Sequence, residues 1–389
     1  MSGPAADATA PPAPTTDYDH LRDALAEAGA DAIVHVGDRF DDDLRYLTRF
    51  GGPDRASAFV FVDDAAVLCP PSLFGEQAER EFPGAEVRTD RTGDPAGRRA
   101  AAVLDEALSG SGSVLVPRHL PHDAAVYLEN AGYDVASTDA VARARRVKSP
   151  GEVDCLRFAQ RAALRGMERA EAVLAGATAA GDVLRWEGEP LTTERLRREV
   201  NAAIAAAGAR DAGNSVIGAG ETCADLHFTG GDDVAPGETV LLDLSPRGPH
   251  GYYGDVTRTF VVDGDGGWER RAYVAVEAAR EAALEVLAPG TRAGEVHAEA
   301  AAELTAHGFR VDSAERGFTH GVGHGVGVSL HEGPSLRADD PLEVGNVVTV
   351  EPGVYDPERG GVRLEDLVVV TEDGYEILAE YPFSPTPQA

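Results

Sequence analysis

Residues 240–260 read VLLDLSPRGPHGYYGDVTRTF. Two apolar runs flank a turn at Gly248-Pro249-His250-Gly251, which predicts a pair of antiparallel strands. Each strand carries one aspartate, Asp243 or Asp255, and antiparallel neighbours lie about 4.8 Å apart. Two such side chains can reach a shared ion. A pair of strand-end aspartates that cap turns is the other interpretation of this stretch.

Two glutamates lie in similar surroundings further along the chain. Glu351 follows the run Val-Val-Thr-Val and precedes Pro-Gly, while Glu365 lies within Val-Arg-Leu-Glu-Asp-Leu-Val-Val-Val. Both runs predict buried strands. Arg363 precedes Glu365 by two residues, which would place both side chains on one face of a strand. Arg363 could orient that carboxylate, grip a substrate carboxylate, or form a partly buried ion pair.

Three histidines fall in one glycine-rich window with the sequence HGVGHGVGVSLHE, at residues 320–332. They are His320, His324 and His331. The glycines allow close approach of the backbone and keep the imidazoles accessible. No strand-then-helix pattern surrounds this window, so we do not interpret it as a phosphate-binding loop.

The four acidic side chains and His324 together predict a metal centre. An isolated ionised carboxylate is too costly to bury without a cation or a proton. Four converging carboxylates would repel one another by up to ~4 kcal/mol per pair at an effective dielectric of about 20. Two divalent ions would cancel this charge. The sequence therefore predicts a dinuclear centre with five ligands: Asp243, Asp255, His324, Glu351 and Glu365.

The composition is strongly acidic, with 66 acidic against 35 basic residues and a formal net charge of −31 at pH 7. Lys148 is the only lysine. This bias resembles proteins from salt-saturated cytoplasm, where a Debye length of about 3 Å at ~1 M salt screens self-repulsion. An ordinary acidic protein is the alternative. The charge disfavours nucleic acid as a partner, because phosphate binding relies on cationic side chains.

The cysteine pattern and the hydropathy predict a cytoplasmic protein. Three widely spaced cysteines, Cys69, Cys155 and Cys223, form neither a disulfide framework nor a CxxC metal site. No stretch approaches 18 consecutive apolar residues, so we expect no transmembrane span and no membrane partner. The opening residues lack the basic and apolar regions of a signal peptide.

The order of predicted elements indicates two domains, as expected for 389 residues. Residues 1–16, rich in proline, alanine and threonine, predict a disordered tail. Helices and strands then alternate in 17–145, which favours a small α/β domain. Ser149 and Pro150 predict the start of a long helix. Residues 175–190 are interpreted as a loop inserted between helices, and from Asn214 the chain is rich in strands.

Taken together, these motifs resemble the pita-bread-fold metallopeptidases, which include methionine aminopeptidases, Xaa-Pro aminopeptidases, prolidases and the metal-free creatinases. The resemblance rests on the stretches already quoted, and on Arg45-Tyr46-Leu47-Thr48 and Val147-Lys148-Ser149-Pro150-Gly151-Glu152. It implies an α+β protein with a creatinase-like α/β domain at 17–146 and a pita-bread catalytic domain at 147–389.

The resemblance also implies a role for each site residue. Asp255 and Glu365 would bridge two divalent ions, Asp243 would complete one ion's ligands, and His324 with Glu351 those of the other. The donor set suits Mn²⁺, with Co²⁺ and Zn²⁺ as alternatives. A water between such ions ionises near neutral pH and would be the nucleophile. Glu351 would also transfer the proton of that water. His227 and His331 would hydrogen-bond the scissile carbonyl, and His320 would contact the ligands from outside.

The proline-directed branch fits best, because an N-terminal domain is present, Arg363 precedes Leu-Glu365, and His320 stands four residues before His324. The resemblance implies peptide substrates with proline in second position and a homodimer. A non-catalytic peptide- or protein-binding module and a creatinase-like amidinohydrolase are the alternatives, and the complete ligand set disfavours both. One departure from the family is Pro246, which predicts a bulge or a reshaped turn after Asp243.

The acidic composition leads to a first testable prediction. We expect the midpoint of thermal unfolding to rise when KCl is raised from ~0.1 M to ~2 M, because screening weakens the repulsion among carboxylates. Circular dichroism melts across a KCl series measure this midpoint, and a sucrose series provides a control without added ions. Full stability in dilute buffer would contradict the halophilic interpretation.

Overall fold

A computed structural model describes residues 9–91, 93–311, 313 and 315–388. Residues 1–8 of the predicted tail therefore lie outside the described residues. The chain divides into two compact units, one formed by Ala13–Arg145 and the other by 146–388 with the short N-terminal stretch that ends at Pro12. The assignment of 17–146 and 147–389 to two domains stays a prediction. No described helix has both the length and the apolar character needed to cross a membrane.

The smaller unit alternates helices and strands, as predicted from 17–145. Two elements in it were not predicted, the helix α3 and the short strand β4. Its elements, in chain order, are α1 (Asp19–Ala28), β1 (Ala32–Gly37), α2 (Asp42–Thr48), β2 (Ser57–Val62), β3 (Ala65–Cys69), α3 (Gly75–Glu81), β4 (Glu86–Val87), α4 (Ala96–Leu108), β5 (Gly112–Pro117), α5 (His122–Asn130), β6 (Tyr133–Thr138) and α6 (Ala140–Ala144).

The strands of the smaller unit form one six-stranded mixed sheet in the order β4-β3-β2-β1-β5-β6. β1 pairs antiparallel with β2 and parallel with β5. β1 and β2 are almost entirely buried and rich in valine, isoleucine and phenylalanine, which suits central strands. Aliphatic side chains of α4 and α5, including Leu104 and Leu128, pack against this sheet.

The larger unit contains more and shorter strands. Its elements are α7 (Pro150–Ala175), β7 (Thr178–Ala180), β8 (Val183–Trp186), β9 (Glu189–Pro190), α8 (Thr193–Ala206), β10 (Ser215–Ala219), β11 (Thr239–Leu244), β12 (Val256–Val261), α9 (Trp268–Glu285), α10 (Ala293–Ala306), β13 (His324–Gly325), β14 (Glu332–Ser335), β15 (Val347–Val350), β16 (Gly353–Asp356), β17 (Gly360–Arg363), β18 (Asp366–Thr371) and β19 (Gly374–Ile377).

The long helix α7 begins where the sequence predicted it. The Ser149 side chain accepts a hydrogen bond from the Glu152 backbone N–H, and the Glu152 carboxylate accepts one from the Ser149 N–H. This capping box, with Pro150 in the first turn, satisfies N–H groups that the helix itself leaves unpaired.

In the larger unit, helices α7 and α8 pack on one sheet, and helices α9 and α10 pack on another. β10, β11 and β12 form one sheet, and side chains of α7 and α8 such as Met167 and Ile204 share a core with Leu242 and Phe260. A five-stranded sheet, in the order β14-β13-β15-β18-β19, shares a second core with α9 and α10. The mixed α+β architecture predicted from the sequence is confirmed.

The prediction of a loop at 175–190 was wrong. β7, β8 and β9 form a small antiparallel sheet there. Leu184 is fully buried, and its backbone N–H donates to Val234 O at 2.7 Å. Trp186 lies against the guanidinium groups of Arg169 and Arg195. A single buried side chain in very short strands gave no periodic signal, so glycine and polar residues dominated the sequence pattern.

The bulge considered for the segment after Asp243 is absent from β11 and β12, and a turn that differs from the family's stays a prediction. β11 and β12 pair without interruption from Thr239↔Val261 to Leu244↔Val256. Pro246 lies between the last residue of β11 and an antiparallel bridge that pairs Arg247 with Tyr253. Because proline has no N–H, it cannot donate a hydrogen bond across this hairpin. Within the turn, Gly254 N–H donates to Pro246 O at 2.9 Å.

A buried ion-pair triad leads to a second testable prediction. The Asp366 carboxylate accepts hydrogen bonds from Arg258 and Arg280, and all three side chains are almost completely buried. Asp366→Asn leaves two arginines without their counter-ion, and we expect it to lower the free energy of unfolding by about 3–5 kcal/mol. Urea unfolding measures the change.

The matched control is Glu295→Gln, which removes the carboxylate of an exposed pair with Arg292. We expect that change to stay within about 0.5 kcal/mol, since exposed pairs contribute little. Equal effects of the two substitutions would contradict the importance of the triad.

Candidate metal centre

Three carboxylates converge at one end of the β11–β12 pair. Asp243 lies within β11 opposite Thr257, and Asp255 directly precedes β12. Glu365 comes from the segment between β17 and β18. One carboxylate oxygen from each of Asp243, Asp255 and Glu365 lies within 4.8 Å of the other two. Such spacing allows a cation to contact all three.

The backbone brings Glu365 to this place in a way that the sequence did not predict. Arg363 ends β17 and Asp366 begins β18, so Arg363 and Glu365 do not share a strand as expected. The Glu365 backbone N–H instead donates to Thr257 O at 3.1 Å, and Thr257 Oγ1 donates to Glu365 Oε2 at 2.7 Å. Both side chains nevertheless reach the same cavity.

His324 and Glu351 lie beside the three carboxylates. His324 Nε2 is 3.3 Å from Glu351 Oε1 and 3.9 Å from Asp255 Oδ2. His324 Nδ1 lies 3.0 Å from Gly325 O. If Nδ1 carries the proton and donates to this carbonyl, the Nε2 lone pair is free to bind an ion. Pairing between β13 and β15 explains why the two side chains meet.

The electrostatics of the cluster fit a cationic occupant. Burial raises the pKa of Asp255 well above its usual value, and the neighbouring carboxylates Asp243 and Glu351 raise it further. Burial and Asp255 likewise raise the pKa of Glu365. Burial also raises the pKa of Glu351 to about 7, although Arg363 opposes the shift. The protein alone therefore resists full ionisation of the cluster, and divalent cations would remove that resistance.

The chemistry of the donors agrees with this electrostatic argument. Four carboxylates and one imidazole are ligands that Mn²⁺ and other borderline divalent ions accept. All of the buried cysteines lie outside the residues that line this cavity. The residues present thus fit the metal ions that the sequence predicted.

Arg363 is held by the protein on several sides. Its Nη2 donates to Asp243 Oδ2 at 2.5 Å, its Nη1 to Tyr355 Oη at 2.8 Å, and its Nε to Thr257 Oγ1 at 3.1 Å. Only 4% of the residue is exposed. Of the three roles considered for Arg363, these contacts show a buried ion pair, formed with Asp243 and not with Glu365. The pair also orients the Asp243 carboxylate.

A cavity of about 600 Å³ opens over the cluster, and His227 and His331 line it. The rings of His331 and His324 lie 4.3 Å apart between centroids. Burial lowers the pKa of His331, and neighbouring His324 lowers it further. His320 also lines the cavity, and its Nε2 lies 2.9 Å from Tyr355 Oη. Burial is the main cause that lowers the pKa of His320 to about 3, and the positive charge of Arg363 also lowers it.

Three hydroxyl groups donate hydrogen bonds to carboxylates of the cluster and were not predicted. Ser245 Oγ donates to Asp255 Oδ1 at 3.0 Å, and Thr349 Oγ1 donates to Glu351 Oε1 at 3.2 Å. Thr257 Oγ1 donates to Glu365 Oε2, as described above. Each hydroxyl stands two residues from one of the cluster's carboxylates, in the pairs Asp243/Ser245, Asp255/Thr257 and Thr349/Glu351. Because alternate residues of a strand share a face, this spacing was a signal that could have identified them.

Arg337 was also not predicted. It lines the same cavity, it is exposed, and one of its guanidinium nitrogens donates to His320 O at 2.9 Å. No strand periodicity or ligand-type motif marked this position in the sequence.

The fold and the ligand cluster together define a pita-bread-fold metalloprotein. The sequence profile described as "Metallopeptidase family M24" matches residues 154–372, which is more than half of the chain. The chain belongs to this family.

Individual relatives with peptidase names also match the chain. The chain is 33% identical over 243 residues to "Probable dipeptidase PepE" of Mycobacterium tuberculosis (strain ATCC 25618 / H37Rv), covering 62% of this chain and 60% of that protein. It is 34% identical over 200 residues to "Xaa-Pro dipeptidase" of Pyrococcus furiosus, covering 49% and 56%. These matches span less than two thirds of the curated relatives' lengths. The structure of "Xaa-Pro dipeptidase from Bacillus anthracis" superposes with a TM-score of 0.83 at 24% identity, over 95% of this chain and 98% of that chain, which shows a shared fold.

The contact of Ser245 leads to a third testable prediction. Ser245→Ala removes the hydroxyl that orients Asp255, and we expect the affinity for Mn²⁺ to fall by about 10- to 100-fold. Competition against a metal-sensitive chelating dye measures this affinity. Ser335→Ala, on the wall of the same cavity, is the control and should bind Mn²⁺ as the unsubstituted protein does. Equal affinities of the two variants would argue against the role of Ser245.

Proposed function

We propose that the protein is a dinuclear-metal exopeptidase that hydrolyses the Xaa-Pro bond at the N-terminus of peptides or in dipeptides. The observation that carries the proposal is the convergence of Asp243, Asp255, His324, Glu351 and Glu365 beneath a cavity lined by His227 and His331. The names printed for the curated relatives, a probable dipeptidase and an Xaa-Pro dipeptidase, support the same reaction class.

The five residues would hold two ions in the way that the family resemblance implies. Asp255 and Glu365 would be shared by both ions, Asp243 would complete one set of ligands, and His324 with Glu351 would complete the other. We propose Mn²⁺ as the metal, since hard oxygen ligands with one imidazole suit it. When bound, two such ions supply Lewis acidity and a water that ionises near neutral pH.

The protein's own groups then carry out proton transfer and charge stabilisation. Glu351 takes the proton of the attacking water and returns it to the prolyl nitrogen as the C–N bond breaks and a C–O bond forms. His227 and His331 hydrogen-bond the scissile carbonyl oxygen and stabilise the negative charge that develops there. Arg363 fixes the orientation of Asp243 through its 2.5 Å hydrogen bond.

The choice between a dipeptidase and an aminopeptidase depends on what binds the far end of the substrate. Arg363 is engaged by Asp243, Tyr355 and Thr257. Arg337 is exposed on the cavity wall, so its guanidinium is better placed to pair with a free substrate carboxylate. We therefore assign to Arg337, rather than Arg363, any recognition of a terminal carboxylate.

Both alternative functions are weaker. A peptide-binding module has no need of four converging buried carboxylates, which are costly without bound cations. A creatinase-like amidinohydrolase lacks metal ligands, whereas this chain has all five. A homodimer and a cytoplasmic location remain part of the proposal.

A paired hydrolysis assay is the fourth prediction and tests the proposal. The assay, at ~2 M KCl with added Mn²⁺, compares a free Xaa-Pro dipeptide with the same residues extended at the carboxyl end. We expect hydrolysis of at least one substrate and a loss of activity in Glu351→Ala, which removes a metal ligand and the proposed proton carrier.

Cleavage of the dipeptide alone would indicate a prolidase, and Arg337→Ala should then raise KM with little change in kcat. Cleavage of the extended peptide would indicate an Xaa-Pro aminopeptidase. Inactivity towards both substrates in the metal-loaded protein would overturn the proposal in favour of a binding module.

A further inference from the structure

A second group of metal-ligating side chains lies wholly within the smaller unit. One ring nitrogen of His35, one carboxylate oxygen of Asp41 and one ring nitrogen of His119 all lie within 4.8 Å of one another. His119 Nε2 is 3.7 Å from Asp41 Oδ2 and 3.5 Å from Asp43 Oδ2. Ligands of one tetrahedral ion, each about 2.0–2.2 Å from it, are separated by similar distances.

The topology of the sheet explains why these residues meet. His35 lies in β1, Asp41 precedes α2, and His119 follows β5. β1 and β5 are parallel neighbours, while β2 lies on the other side of β1. The connection after β1 leads to β2 on one side, and the connection after β5 leads to β6 on the other, so the two connections diverge. In open α/β sheets, ligands bind at the carboxyl ends of the strands where connections diverge in this way.

The surroundings give the group both rigidity and access. His35 is fully buried, whereas the His119 side chain is 57% exposed. Asp41 Oδ1 accepts hydrogen bonds from the Leu44 N–H and from His35 Nε2, each at 2.7 Å, which fixes the carboxylate. The rings of His35 and His119 are 5.1 Å apart and inclined by 70°, so they do not stack and their nitrogens can point at a common position.

We propose that His35, Asp41 and His119 form a further divalent-metal site that takes a borderline transition ion such as Zn²⁺. Two imidazoles and one carboxylate suit Zn²⁺ better than Mg²⁺ or Ca²⁺, which prefer oxygen ligands. The ion replaces the proton between His35 and Asp41, and Asp43 adds negative charge on the His119 side. It joins the end of β1, the start of α2 and the connection after β5.

The site binds more weakly than the main centre. His35 Nδ1 has no hydrogen-bond partner among the described residues. Metal-ligating histidines usually donate their second ring N–H to an acceptor, which orients the ring and raises its basicity. Occupancy therefore requires free Zn²⁺ to be buffered well above the level that fills the main centre.

The fifth prediction concerns the number of ions bound. The full-length protein is dialysed to equilibrium against buffered Zn²⁺, and bound zinc per chain is measured by elemental analysis. We expect His119→Ala to bind one ion fewer than the unsubstituted protein. His122→Ala, which changes another exposed histidine in the same unit, is the matched control and should lose none.

Asp41→Asn provides a second variant, because asparagine can still cap α2 while its carboxylate is lost. It should also bind one ion fewer, and Ni²⁺ should broaden the NMR signals of the His119 ring more than those of the His122 ring. Unchanged zinc content in His119→Ala would overturn the proposal. An equal loss in His122→Ala would overturn it too, since it would indicate unspecific binding to surface histidines.

Discussion

Repulsion among buried carboxylates is the constraint on which the larger unit depends. Asp255 and Glu365 are almost completely buried, and their raised pKa values show that the folded protein alone does not favour the ionised cluster. Such a cluster is stable only with cations or protons to neutralise it. The surrounding strands hold the carboxylates in place, and the proposed metal binding would therefore be coupled to folding.

Hydrogen-bond donors around the cluster fix the orientation of its four carboxylates. Each of the carboxylates Asp255, Glu351 and Glu365 accepts a hydrogen bond from a serine or threonine hydroxyl. Asp243 accepts one from Arg363, whose buried charge is itself held by Tyr355 and Thr257. Neutral hydroxyl donors orient three carboxylates without competing with a cation for charge, while a single arginine offsets part of the charge of the fourth.

The sequence reveals interactions between neighbouring residues more readily than interactions between residues far apart in the chain. The start of α7 was predictable because Ser149, Pro150 and Glu152 interact within one helical turn. The convergence of acidic side chains was predictable because buried carboxylates in apolar strands are unusual and costly. The partner of Arg363 was not predictable, since Asp243 is 120 residues away. The sheet β7–β9 was hidden for a different reason, because it buries little more than Leu184 and so has no periodic pattern.

The most direct test of the central claim is the location of the metal ions themselves. Crystals grown with Mn²⁺, with diffraction recorded above and below the manganese absorption edge, would show each ion as an anomalous difference peak. The account predicts two peaks in the cavity, with Asp255 and Glu365 contacting both, Asp243 contacting one, and His324 with Glu351 contacting the other. A single peak, or none, among these five residues at saturating Mn²⁺ would contradict the dinuclear centre.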